Sequence, residues 1–342
     1  MPLTPVRRAR CGSLYDVHMD SAGPLPKLPP RDPRGHKGTF GTVAVIGGSA
    51  HRPGDSGTGG AQMVGGPALA ATAALRAGAG LARLVLPEPL LAAGLSIAPS
   101  ATGVALAVDE RGVIVPHKAA AVIDSLLESV QCIAIGPGLG RDEGATAAAL
   151  RVVGQAEVAA VVDADAINCL SDVPDLQRDF RAAAILTPHV GEASRLGEAL
   201  GVGADPREEG RREEAAGDLA RRLGCVIVLK AARTIVSDGH QTWSHDHPNS
   251  ALGTAGTGDV LCGTIAGLVA QHFRPGFAGR PAAPGSLSLF DCARIGVVAH
   301  ATAAQRWVYR RGASGGLLAT DLLEEIPAAI ESLRAAQTEP RP

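Results

Sequence analysis

The chain has 342 residues, of which 46% are hydrophobic and only 3% aromatic, with 43 glycines. That length fits two small domains or one large one, and the composition is ordinary for an α/β protein. With 32 basic and 34 acidic side chains the formal charge is −2, so no global field favours nucleic acid or an acidic membrane surface. We therefore expect neither partner.

Several further classes are excluded by what the sequence lacks. No run approaches the ~18 apolar residues of a membrane span, and the N-terminus lacks the hydrophobic core of a secretory signal. The six cysteines are scattered without a C-x-x-C pair, which predicts buried free thiols in a reducing compartment. We expect a cytoplasmic protein.

The first regular pattern begins near residue 40. Residues 1–35 are rich in proline and arginine without periodicity, which predicts a disordered or draped leader. Residues 36–334 then read as a single domain and residues 335–342 as a tail. We find no internal linker, and the only later break in composition is the glycine-rich loop Ala50–Gly66.

Strand and helix patterns alternate along the domain. A buried strand starts at Thr42, an alanine-rich helix covers Pro67–Ala77, and a second strand follows at 81–86. The remaining predicted elements are strands at Cys132–Ile135, Ala159–Val162, Ala183–Leu186 and Val226–Leu229, and helices at Glu143–Val153, from Glu192 and around Arg207–Leu223.

This alternation is typical of βαβ units. A hairpin turning at Asp238-Gly239 would add antiparallel edge strands, and helices follow from Gly258 to the C-terminus. The expected fold is α/β: a doubly wound, mostly parallel sheet with helices on both faces, in three αβα layers.

The sharpest chemical signal is the segment N-S-A-L-G-T-A-G-T-G-D, which ends at Asp259. Its small residues let backbone amides approach an anion at a helix N-terminus. The predicted anion hole consists of Ala255, Gly256, Thr257 and Gly258. A carboxylate beside an anion hole favours a base next to a transferring phosphoryl group, and the alternative is that Asp259 only caps the helix.

The G-T-G-D segment resembles the signature of ribokinase-like enzymes. Other segments resemble one branch, the ADP- or ATP-dependent NAD(P)H-hydrate dehydratases, and occur in that family's order. They are H-K-G-T-F-G-T-V-A-V-I-G-G-S (36–49), A-A-L-R-A-G-A-G-L (73–81), I-G-P-G-L-G-R-D (135–142), D-A-D-A-I-N (163–168), L-T-P-H-V-G-E-A-S-R-L (186–196) and V-L-K-A-A-R-T (228–234).

The resemblance implies a hydro-lyase that repairs hydrated NADH and NADPH. A nucleotide phosphorylates the hydroxyl on the ring of the S epimer, and phosphate then leaves. It also implies ADP, or ATP, as co-substrate, Mg²⁺ between the phosphates without a protein ligand of its own, and a homo-oligomer, a tetramer in the family. Bacterial members usually use ADP, so we expect ADP to be the better donor.

The resemblance also assigns site residues. Asp259 is the catalytic base, and it forms the substrate wall with Gly66, Gly138 and His189. The nucleotide contacts are Lys230, Ala231, Ala232, Arg233, Thr234 and Gly258. For three of these a simpler explanation stays open: a tight turn at Gly138, a satisfied loop histidine at His189, and an exposed strand-end lysine at Lys230.

Some residues fit less well. Asp163, Asp165 and Asn168 are secondary site candidates, with helix capping as the alternative. The pair His245 and His247 reads as solvated histidines at a hairpin end, not as a metal site.

This chain also departs from the family pattern. Ala231 and Arg233 replace glycines, Arg233 could add a phosphate contact, and Gly66 stands where the family has an alanine.

Two other functions remain possible from the sequence. A small-molecule kinase of the same superfamily would act on a vitamin or sugar alcohol and release a phosphorylated product. A catalytically silent nucleotide-binding protein would explain the altered nucleotide segment. The presence of Asp259 argues against the second.

Overall fold

The computed structural model describes residues 23–51, 62–274 and 286–336. They contain a nine-stranded sheet in the order β3-β2-β1-β4-β5-β6-β7-β8-β9. Neighbours from β3 to β7 pair in parallel, and β8 and β9 add antiparallel strands at one edge. The strands are β1 (Thr42–Ile46), β2 (Leu81–Pro87), β3 (Thr102–Leu106), β4 (Cys132–Ile135), β5 (Ala159–Val162), β6 (Ala184–Leu186), β7 (Val226–Leu229), β8 (Thr234–Ser237) and β9 (Thr242–His245).

Helices cover both faces of this sheet. They are α1 (Gly65–Arg76), α2 (Leu91–Ile97), α3 (Pro116–Leu127), α4 (Glu143–Val153), α5 (Ala164–Ser171), α6 (Leu176–Asp179), α7 (Val190–Leu200), α8 (Arg212–Leu223), α9 (Thr257–His272), α10 (Leu289–Arg311) and α11 (Ala319–Ala336). One apolar core joins the sheet to α1, α9, α10 and α11, and a second joins it to α3 through α8. The predicted three-layer α/β fold is confirmed.

The structure corrects several predicted boundaries. The helix expected from Glu192 begins at Val190, and the charged helix begins at Arg212 after a short 3₁₀ turn. The sequence analysis also missed β3 and α3. Strand β3 lies at the sheet edge and is mostly exposed, so it lacks the continuous apolar run that marks the buried strands.

The leader is not disordered over its described part. Residues 23–35 lie against the domain, and Leu28 is buried in the first core. Arg294 donates to the Gly23 carbonyl at 2.6 Å, and Arg334 donates to the Pro29 carbonyl at 3.1 Å. Of the two predicted possibilities, a disordered or a draped leader, the described part fits the draped one. Apolar burial of Leu28 and hydrogen bonds from two arginines hold it against the domain.

Three other predictions fall partly outside the described residues: residues 1–22 of the leader, 52–61 of the glycine-rich loop, and 337–342 of the tail. Five of the cysteines are free and buried, as predicted, and Cys11 lies outside the described ranges. No helix in the described part of the chain is long and apolar enough to cross a membrane.

The close packing of α9 on α1 depends on glycine. A Cβ added at Gly263 would lie 2.0 Å from the carbonyl oxygen of Ala70, and one at Gly267 would lie 2.6 Å from that of Ala74. These two positions let the helix backbones touch, which places the start of α9 beside the start of α1.

Replacing Gly263 by alanine should therefore destabilise the protein by about 1–3 kcal/mol, the usual cost of overpacking. Chemical denaturation measures the change. Gly197→Ala in α7 is the control, because its Cβ would meet nothing closer than 3.8 Å. It should gain about 0.5–1 kcal/mol from helix propensity, and equal effects of the two substitutions would contradict the packing argument.

Candidate active site

The predicted site residues converge at the carboxyl ends of the parallel strands. Gly138 follows β4, His189 follows β6, and Lys230 follows β7. Asp259 reaches the same edge from the first turn of α9. Ligands bind at this edge in open α/β sheets, so the topology brings these side chains together although they are far apart in sequence.

Asp259 is the third residue of α9. The helix begins after Gly256, whose φ of 90° favours glycine, and it has no side-chain cap. Capping therefore does not explain Asp259. The Thr257 hydroxyl donates to the carbonyls of Leu252 and Thr254 at 2.8 and 2.9 Å, so it is engaged within the turn itself. The backbone amides at the start of a helix lack partners within the helix.

The carboxyl group of Asp259 is a weak acid. Burial raises its pKa to about 7, the charge of Asp163 adds to this effect, and Lys230 opposes it. A pKa near the working pH is what a general base requires.

Gly66 and Gly138 both lie near the start of α1. A Cβ on Gly66 would lie 3.1 Å from an Asp259 carboxylate oxygen, and a Cβ on Gly138 would lie 3.8 Å from Pro67 Cδ. Gly138 has a φ of 58°, so its turn requires glycine as well. The structure thus places Gly66 beside Asp259, and Gly138 beside Met63 and Pro67.

His189 is the N-cap of α7, and its ring is partly exposed to solvent. Its Nδ1 accepts from the amides of Gly191 and Glu192 at 2.9 and 3.3 Å, and its own amide donates to Glu192 Oε2 at 2.8 Å. The alternative of a satisfied loop histidine therefore accounts for Nδ1. The ring is half-exposed, and its Nε2 lies 3.3 Å from Glu192 Oε1.

Lys230 is not an exposed strand-end lysine. Its Nζ donates to Asp163 Oδ1 at 2.6 Å, and Asp163 is almost fully buried. Burial lowers the pKa of Lys230, but the charges of Asp163 and Glu192 outweigh this and hold the pKa above its ordinary value. The ammonium group is therefore charged.

The three secondary candidates all make specific contacts. Asp163 occupies the N-cap position of α5 without capping it. Asp165 accepts from the Gly140 amide at 3.0 Å, and Asn168 accepts from Arg195 Nε at 3.0 Å. Helix capping is therefore wrong as an explanation of Asp163, because its carboxylate binds Lys230 instead.

The nucleotide segment borders a cavity. Ala231, Ala232 and Thr234 line a space of about 270 Å³ together with His245, His247, Asn249, Leu252, Gly253, Leu261, Val297, His300 and Ala301. The guanidinium of Arg233 turns elsewhere, bonding to Glu213 and to Ser244 Oγ. The structure thus gives Arg233 two protein partners in place of the phosphate contact suggested by the sequence.

Two polar groups of this cavity stand out. Asn249 Oδ1 accepts from the Ala251 amide, while its buried Nδ2 has no hydrogen-bond partner among the described residues. His300 Nε2 lies 2.8 Å from the Thr257 carbonyl oxygen, which ties the cavity to the anion-hole turn.

His245 is not solvated as predicted, whereas His247 is exposed. The His245 ring stacks on Trp243 with centroids 5.8 Å apart, and burial lowers its pKa to about 4. Within the described ranges no group of three or more His, Cys, Asp or Glu side chains could hold a metal ion.

Glu192 was missed by the sequence analysis. It is buried, burial raises its pKa, and the charge of Lys230 opposes that rise. The signal was present, since His189 and Glu192 have the i, i+3 spacing of a capping box.

Comparison with known proteins identifies the family. Residues 58–328 match the family described as NAD(P)H-hydrate dehydratase. The chain belongs to this family. It is 32% identical over 317 residues to the ADP-dependent (S)-NAD(P)H-hydrate dehydratase of Xanthomonas campestris. The alignment covers 91% of this chain and 94% of that protein.

The bifunctional NAD(P)H-hydrate repair enzyme Nnr of Moorella thermoacetica is 35% identical over 312 residues, covering 90% of this chain and 52% of that protein. The chain thus spans about half the length of the bifunctional relatives it matches. The structure of the ADP/ATP-dependent NAD(P)H-hydrate dehydratase of Bacillus subtilis, co-crystallised with ATP and Mg²⁺, aligns with a TM-score of 0.68. That alignment has 29% identity and covers 90% of this chain and 95% of the other. The ribokinase-like fold is therefore confirmed.

The raised pKa of Asp259 has a consequence for stability. The folded protein holds this proton more tightly than the unfolded chain, so ionisation costs stability as pH rises from about 4 to about 7 and adds no further cost above. The free energy of unfolding of Asp259→Asn, relative to the unmodified protein, should rise across this interval and then level off. Urea denaturation at several pH values measures it.

Asp238→Asn is a control for which the pH dependence of the free energy of unfolding should have the opposite sign. Burial raises the pKa of Asp238, but hydrogen bonds from Gln241 and His240 outweigh this and lower it. Its carboxylate therefore stabilises the fold above the unfolded pKa, and this stability is lost as pH falls. A difference between Asp259→Asn and the unmodified protein that does not vary with pH would contradict an elevated pKa at Asp259.

The wall can be tested with neighbouring glycines. Gly66→Ala would place a Cβ 3.1 Å from an Asp259 carboxylate oxygen, so the carboxylate must shift and kcat/KM should change. Gly65→Ala is the matched control, because its Cβ would meet nothing within 4 Å. Both changes add helix propensity worth about 0.5–1 kcal/mol, so only the contact differs, and equal kcat/KM values would remove Gly66 from the site.

Proposed function

We propose that this protein dehydrates the S epimer of hydrated NADH and NADPH with a nucleotide as phosphoryl donor, and so repairs damaged nicotinamide cofactor. One observation carries the proposal: the half-buried carboxyl of Asp259, with a pKa of about 7, lies in the first turn of α9 beside Gly66. The similarity to the ADP-dependent Xanthomonas enzyme over nearly its whole length supports it.

The first step is proton removal and phosphoryl transfer. Asp259 accepts the proton of the ring hydroxyl, whose oxygen attacks the terminal phosphorus of the nucleotide. The bond from the terminal phosphorus to the bridging oxygen breaks, and AMP leaves when ADP is the donor. The carbon–oxygen bond of the resulting phosphate ester then breaks and inorganic phosphate leaves. The adjacent ring carbon loses a proton to solvent, and the double bond of the reduced ring is restored.

The surroundings stabilise the charge in this step. The N-terminal amides of α9, from Ala255 to Gly258, face the developing negative charge, and the Lys230 ammonium lies beside them. A Cβ on Gly258 would lie 3.6 Å from Lys230 Nζ. His189, Gly66 and Gly138 would form the wall for the hydrated dinucleotide.

The cavity beside Ala231, Ala232 and Thr234 would hold the rest of the nucleotide. The described residues contain no group of three or more His, Cys, Asp or Glu side chains that could bind Mg²⁺ together. Asp163 is engaged by Lys230, and Glu192 by the amide and ring of His189. We propose that Mg²⁺ binds with the nucleotide and neutralises the charge of its phosphates.

We further propose a homo-oligomer, a tetramer as in the family, and a cytoplasmic location. The five buried free cysteines support a reducing compartment.

The function is tested by incubating the protein with hydrated NADH, Mg²⁺ and either ADP or ATP, and following the absorbance of NADH. We expect NADH to be recovered with either nucleotide, and faster with ADP than with ATP. A control mixture without nucleotide should give no recovery. Nucleotide consumption without NADH recovery would favour a kinase that releases its phosphorylated product. Nucleotide binding without any turnover would indicate a silent nucleotide-binding protein.

Asp259→Asn should abolish dehydration while nucleotide binding survives. The asparagine is nearly isosteric but cannot accept the proton, and a positioned base is worth roughly 10²–10⁴ in rate. Binding should not weaken, because one negative charge beside the phosphates disappears. If the variant binds ADP in calorimetry yet keeps more than about a tenth of normal turnover, Asp259 is not the base.

A further inference from the structure

Asp163 binds Lys230 and does not cap the helix that it precedes. It stands at the N-cap of α5, where an aspartate ordinarily accepts a hydrogen bond from the helix amides, yet α5 has no side-chain cap. Its carboxylate, 2% exposed, accepts instead from Lys230 Nζ at 2.6 Å. A buried charge pair of this kind needs a reason beyond helix formation.

The backbone next to Asp163 has an unusual conformation and is closely packed. Ala164 has a φ of 48°, one of two non-glycine residues with positive φ in the described part of the chain. The Asp163 carbonyl packs so tightly on Gly136 that a Cβ there would lie 1.8 Å away. Such conformations persist where the surroundings fix them, and they concentrate at functional sites.

Lys230 is held at both ends. Its amide donates to the Pro188 carbonyl at 2.8 Å, and its ammonium is held by Asp163. Between these anchors the side chain reaches the first turn of α9, where its Nζ would lie 3.6 Å from a Cβ on Gly258. The ammonium therefore lies where the terminal phosphate would meet the anion hole.

We infer that Asp163 is a positioning residue for phosphoryl transfer, which holds the Lys230 ammonium charged and directed at the first turn of α9. The inference rests on the proposed function and deepens it, since it assigns a role to a residue that touches neither substrate nor nucleotide. Asp163 acts only through Lys230.

Several charged or titratable groups influence this ammonium or are influenced by it. They are Asp163 at the end of β5, Glu192 on α7, Asp259 and Cys262 on α9, and His300 on α10. Removing the charge of Asp163 lowers the pKa of both Lys230 and Asp259. Removing the charge of Lys230 raises the pKa of Asp259. The two changes therefore move the acid limb of the pH–rate profile in opposite directions.

The test compares Asp163→Asn, Lys230→Met and the double variant. The readouts are NADH recovery from its hydrate across the pH range and the affinity for ADP with Mg²⁺. We expect Asp163→Asn to lower kcat/KM roughly 10- to 100-fold, the size of a lost hydrogen bond to a charged group. The acid limb of the pH–rate profile should move to lower pH in Asp163→Asn and to higher pH in Lys230→Met. In the double variant, Asp163→Asn should have little effect beyond that of Lys230→Met alone.

The matched control is Asp291→Asn. It removes a carboxylate from the buried Arg294, 3.3 Å away on α10, and kcat/KM should stay unchanged. If Asp163→Asn fails to fold, Asp163→Glu decides. It keeps the charge but displaces the ammonium, so kcat should fall while the pH limbs stay in place, and an unchanged kcat overturns the inference.

Other outcomes also decide. Normal kcat/KM in Asp163→Asn, or full additivity with Lys230→Met, overturns the inference. If the unmodified protein does not dehydrate the substrate, the proposed function fails separately. ADP affinities then decide: a loss in Asp163→Asn that vanishes in the Lys230→Met background supports the inference, and additive losses or no ADP binding overturn it.

Discussion

The ammonium of Lys230 balances carboxylates that arrive from three different elements. Asp163 comes from the end of β5, Glu192 from α7 and Asp259 from α9, and the charge of Lys230 influences all three. Without this cation the site would bury several like charges, which is costly in a low dielectric. The ends of two strands and two helices are thus held together by one electrostatic centre.

Backbone packing sets the other side of the site. Because Gly263 and Gly267 let α9 lie directly on α1, the start of α1 reaches the start of α9. Gly66 then faces the Asp259 carboxylate with no side chain between them. The carboxylate is shielded from solvent by main chain on this side and by the charged cluster on the other, and this burial is the main cause of its raised pKa.

The sequence was sufficient for the layers of the fold and for selecting candidate residues that the fold brings to one edge of the sheet. Buried parallel strands such as Val226–Leu229 are continuous apolar runs, and the small residues before Asp259 indicate a helix N-terminus that faces a ligand. The mostly exposed edge strand β3 carries no such run and was missed.

Contacts between side chains far apart in the chain could not be predicted from the sequence. The Lys230–Asp163 pair joins residues 67 positions apart, and local pattern predicts only that Asp163 stands at a helix start, which suggested a cap. The capping function of His189 was local and could be read from its spacing to Glu192. Arg233 has the charge to bind phosphate, but only the fold brings Glu213 and Ser244 to it.

In the proposed reaction, the pKa of about 7 at Asp259 would couple nucleotide binding to protons. Phosphate charges placed beside this carboxyl would favour its protonated form, so binding near neutral pH would take up a proton from solution. The heat of binding then depends on the ionisation enthalpy of the buffer. Chemistry needs the same proton to leave again, so the free enzyme and the loaded enzyme differ in the pH at which the base is ready.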